Sequence, residues 1–225
     1  MCSSDLPHAA QPTPPGSQGP TAPVHLAQLR LPPVAALDYL RQGHAHSLQA
    51  TQQGKPAPKP ALRPSGAGRY VAAVLTCADA DLDLPRLLGV QPQDLLVVRV
   101  PGAFASAEIA ALLEQAVASE RLSLCVVLTH TTCQSLAAEQ GSSPAAQTLA
   151  RRGEPARTLA QTRNLALPMA QAFAEREQVL SFSESLRAAC AKDQLRIVAA
   201  TADSKTQAIT WHTTRADDLP IAPVK

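Results

Sequence analysis

The chain has 225 residues, 45% of them hydrophobic and 17% charged, and 20 Lys+Arg against 18 Asp+Glu give a net charge of +2. That length suits one domain, or one domain with tails, holding a core without disulfides. The even charge excludes a dedicated nucleic-acid or membrane-surface binder, no run approaches eighteen apolar residues, and 3% aromatics exclude a base-stacking platform. Cysteines at positions 2, 77, 125, 133 and 190 are odd in number and scattered, which argues against a disulfide framework. Metal ligation, nucleophilic chemistry and plain burial remain.

Residues 1–33 hold eight of the twenty prolines and read as a disordered Pro-rich arm that cannot repay its ordering entropy. Met1-Cys2-Ser3-Ser4-Asp5-Leu6 looks like a translated sequencing-adaptor scar on a truncated gene, and Cys2 is set aside with it. His8-Ala9-Ala10-Gln11 could close a signal-peptide cleavage site, but no h-region precedes it. The expected compartment is therefore the cytoplasm, with the periplasm as the alternative if a truncated signal peptide preceded residue 11. The domain is expected over 34–215, with a tail at 216–225.

Within it, 34–49 spaces Val34, Leu37, Leu40 and Leu48 as a helix that Gly43 should end or bend. Residues 52–68 form a second Pro/Gly/Lys-rich linker. Buried strands are expected at 70–76, 94–100, 122–129 and 195–201, and an edge strand at 208–212. A helical turn is expected at 84–88. Helix 106–120 should be capped by Ser106, with Ile109, Leu112, Leu113 and Val117 on one face. Another helix should start at 135–139, and 165–174 and 182–191 read as helices. The stretch 141–163 is polar and carries Arg151, Arg152 and Arg157, read as a solvated loop cluster. Alternating strands and helices imply an α/β fold with a mostly parallel central sheet flanked by helices, and function at the carboxyl ends of its strands.

Two strand ends carry unusual residues. The first ends in Thr76-Cys77-Ala78-Asp79-Ala80-Asp81, the third in Thr129-His130-Thr131-Thr132-Cys133. If those strands are neighbours, Cys77, His130 and Cys133 converge. Two thiolates and an imidazole suit Zn²⁺ and leave a fourth position for water. Taken alone, the residues leave open an incidental H-x-x-C and a Cys77 that merely packs.

Cys77-Ala78-Asp79-Ala80-Asp81, then Gly89, Asp94-Leu95, Val97-Val98-Arg99-Val100-Pro101-Gly102, Glu114-Gln115-Ala116-Val117 and His130-Thr131-Thr132-Cys133 together resemble the β-class carbonic anhydrases. That family shows C-x-D-S-R, G-D-L-F-V-V-R-N-A-G-N, a helix ending near E-Y-A-V, and G-H-x-x-C-G. The likeness runs from Tyr70 to Glu139, resumes at Asn164, Ser185-Leu186 and 195–200, and includes 34–48 as the leading helix, with Gly43-His44 at the family's Gly-Asn. The resemblance implies a β-carbonic-anhydrase-like fold, a homodimer or higher multiple, and zinc held by Cys77, His130 and Cys133. It also implies reversible hydration of carbon dioxide to bicarbonate, with Asp79 orienting the nucleophile and an arginine two residues later holding Asp79 off the metal.

The sequence departs from this pattern at four places around one pocket. Asp81 stands at the arginine, Gln134 at the Gly after the last Cys, Ala103 at the Asn of Gly-Asn, and Thr129 at the Gly before the His. Without the arginine, Asp79 can move onto the fourth position and expel water. The alternative reading is thus a catalytically impaired, zinc-stabilised scaffold or sensor. A third, hydrolysis of carbonyl sulfide or carbon disulfide, has no residue in its favour. Arg86 is expected to be solvated or partner-facing rather than a substitute for the arginine. Cys125 and Cys190 read as core thiols, and His44, His46 and His212 as surface histidines, with proton shuttling as the less favoured alternative. Glu108 and Glu114 do not share a helix face and imply no acid–base pair. No nucleic acid or membrane partner is expected.

Overall fold

The longest apolar runs become the two central strands. β1 (Ala72–Cys77) and β3 (Leu124–His130) are buried along their whole length. They pair in parallel, Ala73 beside Cys125 and Thr76 beside Leu128. The computed structural model describes residues 30–56, 58–137 and 143–212. The arm up to residue 29 with Cys2, Glu139, and the tail at 216–225 lie outside the described residues.

The other strands are β2 (Leu95–Val100), β4 (Arg196–Ala202) and β5 (Ile209–His212), and the sheet order is β2-β1-β3-β4-β5. The first four are parallel and β5 is antiparallel to β4. The mostly parallel α/β fold expected from the sequence is therefore present. β2 begins one residue later than expected because Asp94 is used elsewhere. Its Oδ2 accepts the Gln91 N–H at 3.3 Å and its Oδ1 takes the Arg63 guanidinium at 2.7 Å, which ties the 58–69 connection to the sheet.

Alternation along the strands splits the core. Ala72 and Val74 of β1 and Leu124, Val126 and Leu128 of β3 meet α1 (Pro33–Gln52) and α2 (Leu84–Leu88). Ala73, Leu75, Cys125 and Val127 meet α3 (Ala107–Ser119) on the opposite face. Ser106 caps α3 as expected, its Oγ accepting from Ile109 N at 3.4 Å. The buried face, however, is Ile109, Ala110, Leu113 and Ala116; Leu112 is 42% exposed. Small alanines let α3 lie close to the sheet, so the face is turned from the one that larger side chains suggest.

The short α4 (Gln134–Ala137) follows β3. The polar stretch read as a loop is two helices, α5 (Pro144–Arg152) and α6 (Glu154–Arg163). Its arginines are not simply solvated. Arg157 pairs with Glu154 at 2.9 Å and donates to Ala150 O, while Arg152 donates to Ala105 O and covers the Phe104 ring at 4.9 Å. α7 (Leu167–Phe182) packs on β3 and β4, and α8 (Glu184–Ala191) follows after the Ser183 cap. No helix among the described residues is long and apolar enough to cross a membrane.

Gly43 neither ends nor bends α1. It lies mid-helix because the backbone of α2 lies directly against it. A Cβ at Gly43 would overlap the Leu88 carbonyl, and one at Gly89, the left-handed cap of α2, would stand 2.8 Å from the Gly43 Cα. His44, beside it, is buried rather than on the surface. Its Nδ1–H donates to Leu87 O at 3.1 Å and its Nε2 accepts from Ile209 N at 3.0 Å, a neutral imidazole joining α1, α2 and β5. His46 is exposed, and His212 is half-buried, 3.0 Å from Thr201 Oγ1 and tilted against Phe173.

Two outcomes follow. Gly43→Ala gains about 1 kcal/mol of helix propensity but overpacks a backbone contact at about 3 kcal/mol, so stability should fall by a net of roughly 2 kcal/mol, seen as a urea midpoint lower by about 1 M. Burial holds the His44 imidazole below its ordinary value against the raising effect of the Leu87 bond. The folded state then binds fewer protons than the unfolded chain below about pH 6.5, so this contribution is intact above that pH and is lost as pH falls through the lowered value. Stability measured from pH 8 down to pH 5 should show this acid loss, reduced in His44→Gln.

Candidate metal centre

Strand order places the site. β1 pairs with β2 on one side and β3 on the other, so the connections leave in opposite directions and open a crevice at the carboxyl ends of β1 and β3. Cys77 ends β1, His130 ends β3, and Cys133 follows on the turn that leads into α4. Asp79 lies on the turn after β1, where Ala80 N returns to Cys77 O at 3.3 Å. The ligand atoms of Cys77, Asp79, His130 and Cys133 lie within 4.8 Å of one another. The structure thus brings all four sequence-predicted site residues together.

The two sulfurs are 3.5 Å apart, and His130 Nε2 is 2.9 Å from Asp79 Oδ1. The Cys133 thiol donates to the Cys77 sulfur, holding the Cys77 thiol well below its ordinary value and pushing that of Cys133 up. Hydrogen bonding to Cys77, with help from Asp79, raises the His130 imidazole against burial. Cys77, His130 and Cys133 are only 1%, 2% and 7% exposed, whereas the Asp79 side chain is 32% exposed. Solvent therefore reaches the cluster from the Asp79 side.

This donor set fits Zn²⁺. Zn–S bonds of about 2.3 Å put two tetrahedral sulfurs roughly 3.8 Å apart, close to the 3.5 Å of the sulfur pair. Among the described residues no Lys or Arg pairs with Asp79, so the cluster concentrates negative charge that a cation would neutralise. Behind the ligands, His130 Nδ1 faces Ser204 Oγ at 3.4 Å, and Ser204 receives Thr132 Oγ1 at 2.9 Å. The Gly102 N–H donates to Cys77 Sγ at 3.0 Å.

Each of the four departures has a structural place. Asp81 is exposed, and Arg86 is exposed on α2. The arginine that meets this turn is Arg99 of β2, whose place in the family pattern carries no sign of this role; it donates to Ala80 O at 2.8 Å and Leu82 O at 2.6 Å, holding the Asp79 turn. Gln134 contributes its backbone N–H, 2.8 Å from Asp79 Oδ2. Thr129 buries its hydroxyl against Pro168 O at 2.7 Å. Ala103 adopts a left-handed φ of 55° that the family's Asn tolerates more readily. Cys125 lies in the core with burial pushing its thiol up to about 12, and Cys190 is half-buried, neither in the cluster.

A mostly parallel sheet carrying a buried S₂N donor set and a carboxylate at its switch point defines an α/β protein with a candidate metal site. Residues 72–209 match the family model described as carbonic anhydrase, and the chain belongs to the β-carbonic anhydrase family. Solved structures of similar fold include the Coccomyxa β-carbonic anhydrase in complex with acetazolamide (17% identity, 79% of this chain and 83% of that chain, TM-score 0.54). Others are a tetrameric β-carbonic anhydrase of Sordaria macrospora (18%, 80% and 95%, 0.54) and CafD of Aspergillus fumigatus (21%, 69% and 94%, 0.53). A search of curated proteins found no match.

Protein purified in zinc-containing medium and dialysed should retain a single Zn²⁺ per chain by elemental analysis. Cys77→Ser, Cys133→Ser and His130→Ala should each lose it, whereas Cys125→Ala and Cys190→Ala should keep it.

Proposed function

We propose that the chain binds Zn²⁺ through Cys77, His130 and Cys133 and catalyses the reversible hydration of carbon dioxide to bicarbonate, with Asp79 controlling access to the fourth position. The observation that carries this reading is the meeting of two sulfurs, an imidazole and a carboxylate at one switch point in a chain of this family. When bound, Zn²⁺ supplies Lewis-acid activation of water near neutral pH. The protein's part is positional. Cys77 and Cys133 supply the two sulfurs and His130 its Nε2, with Ser204 behind the ring. Displaced from the donor set, Asp79 can accept a hydrogen bond from the reacting water and orient it toward carbon dioxide. Within the set, held by His130 and the Gln134 N–H, it closes the site.

These two positions form an equilibrium that residue 81 biases. An arginine there would draw Asp79 outward; Asp81 gives no such pull. Activity is accordingly weak at rest. The engagement of both Asp79 oxygens also supports the second reading, a zinc-stabilised scaffold or sensor with four protein ligands. A homodimer or higher multiple is proposed as the working form, supported by the tetrameric relative and by the half-exposed edge strand β2.

Stopped-flow measurement of carbon dioxide hydration by the zinc-loaded protein should give turnover above buffer, and Asp81→Arg should raise it by about fivefold, the worth of an exposed ion pair near 1 kcal/mol. Turnover equal to buffer in both proteins would leave the scaffold reading.

A further inference from the structure

Behind Cys77, the turn after β2 is held by a polar pair that the reaction does not use. Gly102 and Ala103 take consecutive left-handed conformations, φ 63° and 55°, and both are buried. A Cβ at Gly102 would press on the Phe104 ring at 2.6 Å, so only glycine fits there. Two such residues in succession persist only where their surroundings over-determine them. Two side chains of α7 do so. Gln171 Nε2 donates to Gly102 O at 2.9 Å and to Glu175 Oε1 at 2.9 Å, and Glu175 Oε2 accepts the Ala105 N–H at 2.6 Å. From α5, Arg152 donates to Ala105 O on the same turn.

Gln171 is 0% exposed and Glu175 5% exposed. Gln171 Oε1 is buried and has no hydrogen-bond partner among the described residues. Burying an amide with one unsatisfied end, next to a carboxylate, is not what stability alone selects. Its donor end, in contrast, is fully used, one bond on the Gly102 carbonyl and the other on Glu175, which itself holds the Ala105 N–H of the same turn.

We propose that Gln171 and Glu175 are positioning residues: by holding the Gly102 carbonyl they fix the φ and ψ of that residue, so that its N–H, which belongs to the preceding peptide, points at the Cys77 sulfur and sets how strongly that sulfur donates to the metal. The chain of contacts is Glu175 to Gln171, Gln171 to the Gly102 carbonyl, and the Gly102 N–H to Cys77 Sγ. A hydrogen bond to a ligating thiolate withdraws charge from it, and partners of this kind tune both affinity and electronics of a metal site. The inference rests on the zinc reading above only for its consequence, because the locked turn is a property of the protein itself.

The test compares the parent with Gln171→Met, which keeps the volume and removes the donor, and Glu175→Gln, which keeps one acceptor oxygen and loses the other. Gln115→Met, exposed on α3 and outside the relay, is the control. In the Co²⁺-substituted protein the sulfur-to-cobalt charge-transfer band should shift in both relay variants, and Zn²⁺ release to a chelator should be about 10- to 100-fold faster. In the metal-free protein the Gly102 amide should exchange its hydrogen faster, with helix content unchanged. The control should match the parent throughout. If Gln171→Met fails to fold, Glu175→Gln alone decides. Band, release rate and Gly102 exchange all at parental values would overturn the proposal. A parent that takes up neither metal would overturn the zinc reading instead, and Gly102 exchange would still decide the lock, unchanged exchange sinking it.

Discussion

The parallel pairing of β1 with β3 is the constraint on which the rest depends. It brings Cys77 at one strand end beside His130 at the other, although they lie far apart in the chain. Without that pairing the sulfurs, the ring and the carboxylate have no common neighbourhood. The pairing is secured by strands buried on both faces, so the core that stabilises the sheet and the geometry of the cluster are the same structure. Helices α1 and α2 on one face and α3 on the other are the layers that keep water from the strands.

Around that cluster, backbone groups do much of the holding. Asp79 is held by an N–H of α4, its turn by Arg99 through two carbonyls, and the Cys77 sulfur by the N–H of Gly102. A backbone donor does not depend on the identity of the residue that carries it. This explains how Gln134 can stand where glycine is usual without dismantling the arrangement. It does not compensate for Asp81, because nothing on that turn supplies a positive charge to Asp79 among the described residues.

The sequence made the strands and the ligand cluster legible because both are written locally: unbroken apolar runs, each ending abruptly in Cys, His and Asp. Two features were not legible, for physical reasons. α5 and α6 carry few apolar residues, since their contacts use arginine stems and carbonyls rather than a hydrophobic stripe, and so they read as loop. His44 reads as a surface histidine because its two partners, Leu87 O and Ile209 N, are backbone atoms with no signature in the sequence. Gln171 and Glu175 did carry a signal. They are spaced four apart on a helix otherwise flanked by Ala and Phe, which places a polar pair on a buried side.

The contact between Gly43 and Gly89, together with His44, makes the leading helix part of the same folded unit as the sheet. The recognisable family pattern starts at residue 72, but α1 covers one face of the strands with Leu37 and Leu40 and supplies the acceptor for a peptide of β5. The cooperative body of the protein is thus larger than the stretch that identifies it. Its first turn lies near Pro33, on the far side of a proline-studded connection, so the last strand has its complete set of partners only when that long loop is closed, at an entropic cost that grows slowly with its length.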